Sequence, residues 1–162
     1  MPSPVCPKGM KMNRRRQIQL TSDEQAAFLR EHRKAALATI GRDGFPHVVA
    51  MNFLAKDGAF YMTSYGKAQK VLNIRRNPKV ALMAETGNNY AELRGVMIRG
   101  ECEIIEGADA VREIFAAMAE ARGAPPGERP RGSADSAPKR VVLKLTPEKV
   151  TSWDHRKLGG AY

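Results

Sequence analysis

Two Asp-Gly pairs in close succession, Asp43-Gly44 and Asp57-Gly58, constrain this chain more than any other feature in it. Each lies between β-favouring runs: Ala35 to Ile40, His47 to Leu54, and a third that starts at Phe60. Asp-Gly accepts the backbone of a tight hairpin, so the three runs read as an antiparallel meander. The middle run, HVVAMNFL, is apolar almost throughout, which predicts cover on both faces or a ligand pocket along it. Pro46 stands at its start, where a residue without an N–H breaks no ladder.

From Phe60 to Val80 the chain reads FYMTSYGKAQKVLNIRRNPKV. A strand is followed by the polar break Ser64-Tyr65-Gly66, and then by Ala68, Val71 and Leu72 at helical spacing until Asn77-Pro78 ends the helix. That order suits a phosphate, because a helix start presents unpaired N–H groups and the positive end of its dipole. Thr63 and Ser64 add hydroxyls. Lys67 and Lys70, three apart on one expected flank, either converge on the same anion or form a solvated face.

Downstream, Lys79 to Ala84 reads as another strand and Tyr90 to Ile105 as a long one, with Gly95 and Gly100 expected to mark bulges or a bend. Thr21 and Glu24 predict a capping box opening a helix that ends near Arg33, and Val111, Ile114, Phe115 and Met118 predict a helix over Asp109 to Arg122. Residues 1–20 read as a mobile basic arm containing Arg14, Arg15 and Arg16, and residues 123–138 as a flexible excursion within one domain spanning 21–162. Arg140 to Leu145 begins a last strand that continues past Pro147 to Trp153. The ending SWDHRKLGGAY sets the single tryptophan beside Arg156 and Lys157, suited either to a ring with polar substituents or to anchoring the C-terminus.

At 162 residues the chain is long enough for one real core, and its net charge of +10 points to anionic partners without choosing among nucleic acid, membrane surface and small ligands. The basic arm lacks the interleaved aromatics of single-strand binders, so nucleic acid is not expected. No apolar run is long enough to span a bilayer and MPSPVCPKGMK lacks a signal-peptide core, so a cytoplasmic protein is expected. Cys6 and Cys102 predict no structural disulfide. The scattered His32, His47 and His155 show no metal-ligand spacing.

The strand HVVAMN, the FYMTSYGKAQKVLNIRRNPKV unit, the strand ELRGVMIRGECEII and the terminal WDHRKLGG together resemble the FMN-binding split-barrel superfamily, the relatives of pyridoxamine 5'-phosphate oxidase. The ending is similar to members grouped with flavin and deazaflavin oxidoreductases. The resemblance implies a mainly β fold with flanking helices: a six-stranded antiparallel split β-barrel, acting as a homodimer with cofactor at the subunit interface. It implies FMN, or alternatively a deazaflavin (coenzyme F-420). The phosphate would lie at Thr63, Ser64, Lys67 and Lys70, and the ring along Val48, Val49, Ala50, Met51 and Asn52. Trp153 and Arg156 would come from the partner subunit. Two departures, a middle strand with no basic residue besides His47 and Gly95 where the oxidase carries a glutamine, argue against pyridoxamine phosphate as substrate.

The function expected on this resemblance is an oxidoreductase that passes a hydride between the bound cofactor and a small planar acceptor, the cofactor supplying the chemistry. A flavin or haem carrier without turnover is the alternative. No catalytic acid or base stands out.

Overall fold

The computed structural model describes residues 13–126, 128 and 133–159. The first twelve residues of the arm, residues 127 and 129–132 of the excursion, and the last three residues lie outside these. In chain order the elements are α1 (Arg14–Gln17), α2 (Ser22–Glu31), β1 (Lys34–Ile40), β2 (Pro46–Asn52), β3 (Leu54–Lys56) and β4 (Ala59–Tyr65). There follow α3 (Gln69–Arg76), β5 (Lys79–Thr86), β6 (Arg94–Ile105), α4 (Ala108–Glu120), α5 (Ser133–Ser136) and β7 (Arg140–Asp154). Tyr90–Glu92 is a 3-10 turn, so the long strand starts at Arg94 and not at Tyr90.

The strands form one antiparallel sheet in the order β2-β1-β5-β6-β7-β4-β3. β2 and β3 are separated by Phe53 alone, yet they lie at opposite edges. The sheet therefore curls until its edges meet at that residue, which makes it a split barrel. Seven strands appear where six were expected because the run His47 to Leu54 breaks here. Phe53 turns into the core, 4% exposed, with its ring centroid 6.1 Å from that of Phe60. Its N–H donates to Arg33 O at 3.0 Å, the last bond in register with the β1–β2 ladder before the chain turns into β3. The expected meander is thus two hairpins, β1–β2 and β3–β4, joined at a corner. In the second, Asp57 (φ 51°) and Gly58 (φ 75°) both take the positive φ that a two-residue hairpin turn demands.

The barrel is filled by inward residues of every long strand, among them Leu37, Met62, Leu82, Val96, Ile98 and Leu143, and Phe28 of α2 caps the same core. A second cluster forms where Val111, Ile114 and Met118 of α4 cover Val142 on the outside of β7. The expected bulge at Gly100 is present, a register shift between Arg99 and Gly100 against β7. Gly95 instead stays in register opposite Trp153, and a Cβ there would meet Trp153 Cζ2 at 2.5 Å and Ala84 O at 2.8 Å. Its role is to let the indole lie against the strand.

The Thr21–Glu24 capping box is made in both directions. Just before it, Ile18 O accepts from Asp154 N at 2.7 Å and Leu20 N donates to Ser152 Oγ at 3.1 Å, with Leu20 buried. The downstream end of the basic arm is thereby pinned to β7. No helix among the described residues is long and apolar enough to cross a membrane.

Candidate functional site

The site grows from the end of β4. Ser64 is buried, and its Oγ accepts a hydrogen bond from Lys70 Nζ at 3.3 Å. Thr63 precedes it on the strand and so faces the other side of the sheet. The two hydroxyls expected to act together are therefore split, and only Ser64 stands with Lys70. The helix begins at Gln69, two residues later than the spacing suggests, so Lys67 lies in the turn and not on the helical flank. Lys67 is exposed, and it lines a cleft of about 670 Å³ together with Arg75, Glu106, Lys139 and Arg140.

What holds α3 in place is a buried amide. Asn73, fully buried, donates to Thr39 Oγ1 on β1 at 3.0 Å and accepts from Gln69 Nε2 (2.8 Å) and Arg76 Nη2 (2.6 Å). Thr39 Oγ1 donates in turn to His47 O at 3.4 Å. The start of α3 is thus tied to the start of β2, where Gln69, Asn73 and His47 share a second cleft. The buried residues of α3 are Val71, Asn73 and Ile74, while Leu72 is 40% exposed. The apolar stripe is rotated from the one read in sequence because a satisfied polar residue occupies part of it.

Arg140, at the start of β7 and paired across the ladder with Tyr65, escaped the sequence reading. Its guanidinium carbon sits 4.1 Å from the Tyr65 ring centroid and 5.6 Å from that of Phe115, and its Nε is buried with no hydrogen-bond partner. Burial and the Arg140 charge hold the Lys70 ammonium below the usual lysine pKa. Of the cations lining this cleft only Arg75 has a carboxylate, Glu106 at 2.7 Å; Lys67, Lys139 and Arg140, and Lys70 beside Arg140, have no ion pair among the described residues. Two like charges crowded together, one with an unmet buried donor, fit an anion such as a phosphate. Nothing local to Arg140 in the sequence signals this, since its partners lie some seventy residues upstream.

The middle strand alternates. Val48 (58% exposed), Ala50 and Asn52 face outward, whereas Val49 and Met51 pack against the barrel core. A ring lying along this strand meets the side chains of the first three and only the backbone of the other two. At the far end, Asp154 is 4% exposed and takes Arg156 Nε at 2.8 Å and Nη2 at 2.6 Å. Arg156 therefore has most of its fork committed within its own chain, and that pairing holds the Asp154 carboxyl below the usual range. Lys157 Nζ bonds Gln19 O (2.8 Å) and Glu24 Oε2 (2.6 Å). Polar clamps onto the N-terminal segment anchor this end of the chain. Within one protomer the structure thus assembles Ser64, Lys70 and Arg140, with Lys67 on the same cleft; Thr63 faces the other side of the sheet, and Trp153 and Arg156 lie at the other end of β7 from Arg140.

The pattern of the pyridoxamine 5'-phosphate oxidase family matches residues 21–154. The chain is 32% identical over 131 residues to the biliverdin reductase of Mycobacterium tuberculosis that depends on reduced F-420, the match spanning 80% of this chain and 85% of the other. Among solved structures, a conserved hypothetical protein of Mycobacterium tuberculosis superimposes with a TM-score of 0.81 at 35% identity, covering 90% of this chain and 92% of that one. A structure described as an F-420 reductase gives a TM-score of 0.62 at 27% identity, covering 80% and 98%.

Proposed function

The chain belongs to the pyridoxamine 5'-phosphate oxidase family, and on that premise we propose that it is an oxidoreductase working with a bound flavin-type cofactor, a deazaflavin in preference to FMN. The deazaflavin preference is supported by relatives named for that cofactor. One observation carries the reading: the buried Arg140 Nε with no partner beside a Lys70 that burial and Arg140 disfavour as a cation. Half-buried charges left unmatched beside a cleft suit a ligand of the opposite sign.

In this reading Lys70, Arg140 and the Ser64 hydroxyl hold the phosphate, with Lys67 contributing from the cleft mouth. Asn73 acts behind them by keeping α3 against β1 and β2. Val48 and Ala50 give the ring an apolar floor, and Asn52 offers an amide at its edge. The cofactor, when bound, supplies or accepts the hydride. The protein's part is to orient the ring, keep water from one face and leave the other to an acceptor. The acceptor class is an extended planar conjugated molecule, and biliverdin is the first to assay because the relative at 32% identity is named for its reduction. The protein works as a homodimer, a reading supported by the outward apolar residues Ile40, Val48 and Met83.

The test begins with the absorption spectrum and mass of whatever copurifies, followed by titration of the stripped protein with deazaflavin and with FMN. Arg140→Leu should weaken the tighter of the two by at least about tenfold, the size of one charge-assisted hydrogen bond. Turnover of biliverdin with the reduced cofactor supports the oxidoreductase; tight binding without turnover of any acceptor makes the protein a carrier. Undiminished affinity in Arg140→Leu overturns the site.

A further inference from the structure

A separate cavity lies where the C-terminal turn of α2 and the last turn of α4 approach the corner at Phe53. It encloses about 360 Å³, within the range that small-molecule sites occupy. Its floor is apolar, made by Leu29, Phe53, Leu54 and Met118. Phe53 and Met118 are buried, each belonging to one of the two core clusters, so the cavity sits at the seam between them. It shares no lining residue with the Lys67–Arg140 cleft.

Three arginines ring this floor: Arg30, Arg33 and Arg122. No lining residue is acidic, and none of the three arginines forms an ion pair among the described residues. The neighbouring Glu31 is engaged elsewhere, by Arg94 at 3.4 Å. One wall is β3, which ends the sheet and pairs only with β4, so its outer edge offers backbone groups outside any ladder. Guanidinium groups at the rim of an apolar floor, Arg33 half-buried and Arg30 and Arg122 exposed, suit a flat anion carried on a hydrocarbon body. An inorganic anion would leave the floor wet, and a neutral hydrocarbon would leave the cations unmatched.

We propose that this cavity is a binding site for a small amphipathic organic acid, its carboxylate among Arg30, Arg33 and Arg122 and its apolar body over Phe53 and Met118. The ligand is a free small molecule, and its site is independent of the cofactor cleft.

Calorimetric titration of the intact protein with decanoate, with decanol and acetate as controls, tests this. Decanoate should saturate a single site and bind at least about tenfold more tightly than either control, since each control lacks one of the two complementary features. Replacing all three arginines by glutamine should remove that preference over decanol. Ala121→Trp, which puts an indole on the cavity wall, should abolish binding in a protein whose fold is otherwise intact by circular dichroism. Decanol binding as well as decanoate, decanoate binding that survives both variants, or absence of saturable binding each overturns the proposal. Displacement of decanoate by FMN would assign the binding to the other cleft and overturn it as well.

Discussion

Replacing Lys70 by Met removes one of two neighbouring cations, Lys70 and Arg140, neither of which is paired with a carboxylate among the described residues. The structure predicts different outcomes for the ligand-free fold and for binding. In the free protein the Lys70 ammonium is disfavoured first by burial and then by Arg140. A lysine whose pKa falls on folding binds its proton less well in the folded than in the unfolded state, so as a cation it opposes folding at neutral pH. That opposition fades as pH rises through the lowered folded value towards the ordinary 10.5. Methionine keeps much of the packing without the charge. Against this relief stands the loss of one hydrogen bond to Ser64 Oγ, long at 3.3 Å and so contributing about 1.5 kcal/mol, the low end for a charged donor. The two effects largely offset, so the melting temperature of ligand-free protein should move by less than about 4 °C, the shift produced by roughly 1 kcal/mol in a domain of this size. Nothing offsets the loss in binding. A charge-assisted hydrogen bond contributes about 1.5 to 3 kcal/mol, or roughly 12- to 140-fold in Kd. Titration calorimetry with deazaflavin and with FMN, beside thermal melts of the ligand-free variant, reads both quantities. An affinity loss below about threefold, or one matched by a melting point many degrees lower, would refute the reasoning.

Lys67→Ala should cost less than about fivefold in affinity, because an exposed cation in a solvated turn contributes only about 0.2 to 1 kcal/mol; an equal or larger loss than Lys70→Met would move the anion outward. Gly95→Ala forces a methyl group to within 2.5 Å of Trp153 Cζ2, so it should destabilise by about 1 to 3 kcal/mol and shift the emission of the single tryptophan. An unchanged melt and spectrum would mean the indole moves freely. Asp154→Asn should lower stability at neutral pH by at least about 1 kcal/mol. Because the Asp154 pKa is lowered on folding, its stabilisation is present above the ordinary 3.8 and is lost as pH falls through the lower folded value. The gap between wild type and variant in thermal melts should therefore close in acid, and a gap constant with pH would contradict the ion pair's role.

Local chemistry made much of the barrel legible. Asp57-Gly58 takes the turn that only such a pair accepts easily, Thr21 and Glu24 cap α2 reciprocally, and the alternation of β1 and β4 follows the inward and outward faces. Part of the site was legible for the same reason, since Ser64 and Lys70 lie on consecutive elements and a strand–turn–helix carries its own geometry. The different placements of Thr63 and Lys67 were not legible, because sequence spacing ignores which face a strand residue takes and where a helix starts.

The sequence by itself therefore determined features such as the Asp57-Gly58 turn and the Thr21–Glu24 cap, whose partners lie within one turn or one hairpin, because those conformations depend on a few neighbouring dihedrals. Tertiary structure alone decided the break at Phe53, the indole resting on Gly95, the Asn73 clamp and the meeting of Arg140 with Lys70. Each depends on strands far apart in the chain arriving side by side, and that arrival follows from closing the sheet around its core. A residue such as Arg140 has no periodic or local signature of its own. It becomes a candidate ligand-binding group only when burial strips its nitrogen of water and leaves it facing a second charge of the same sign.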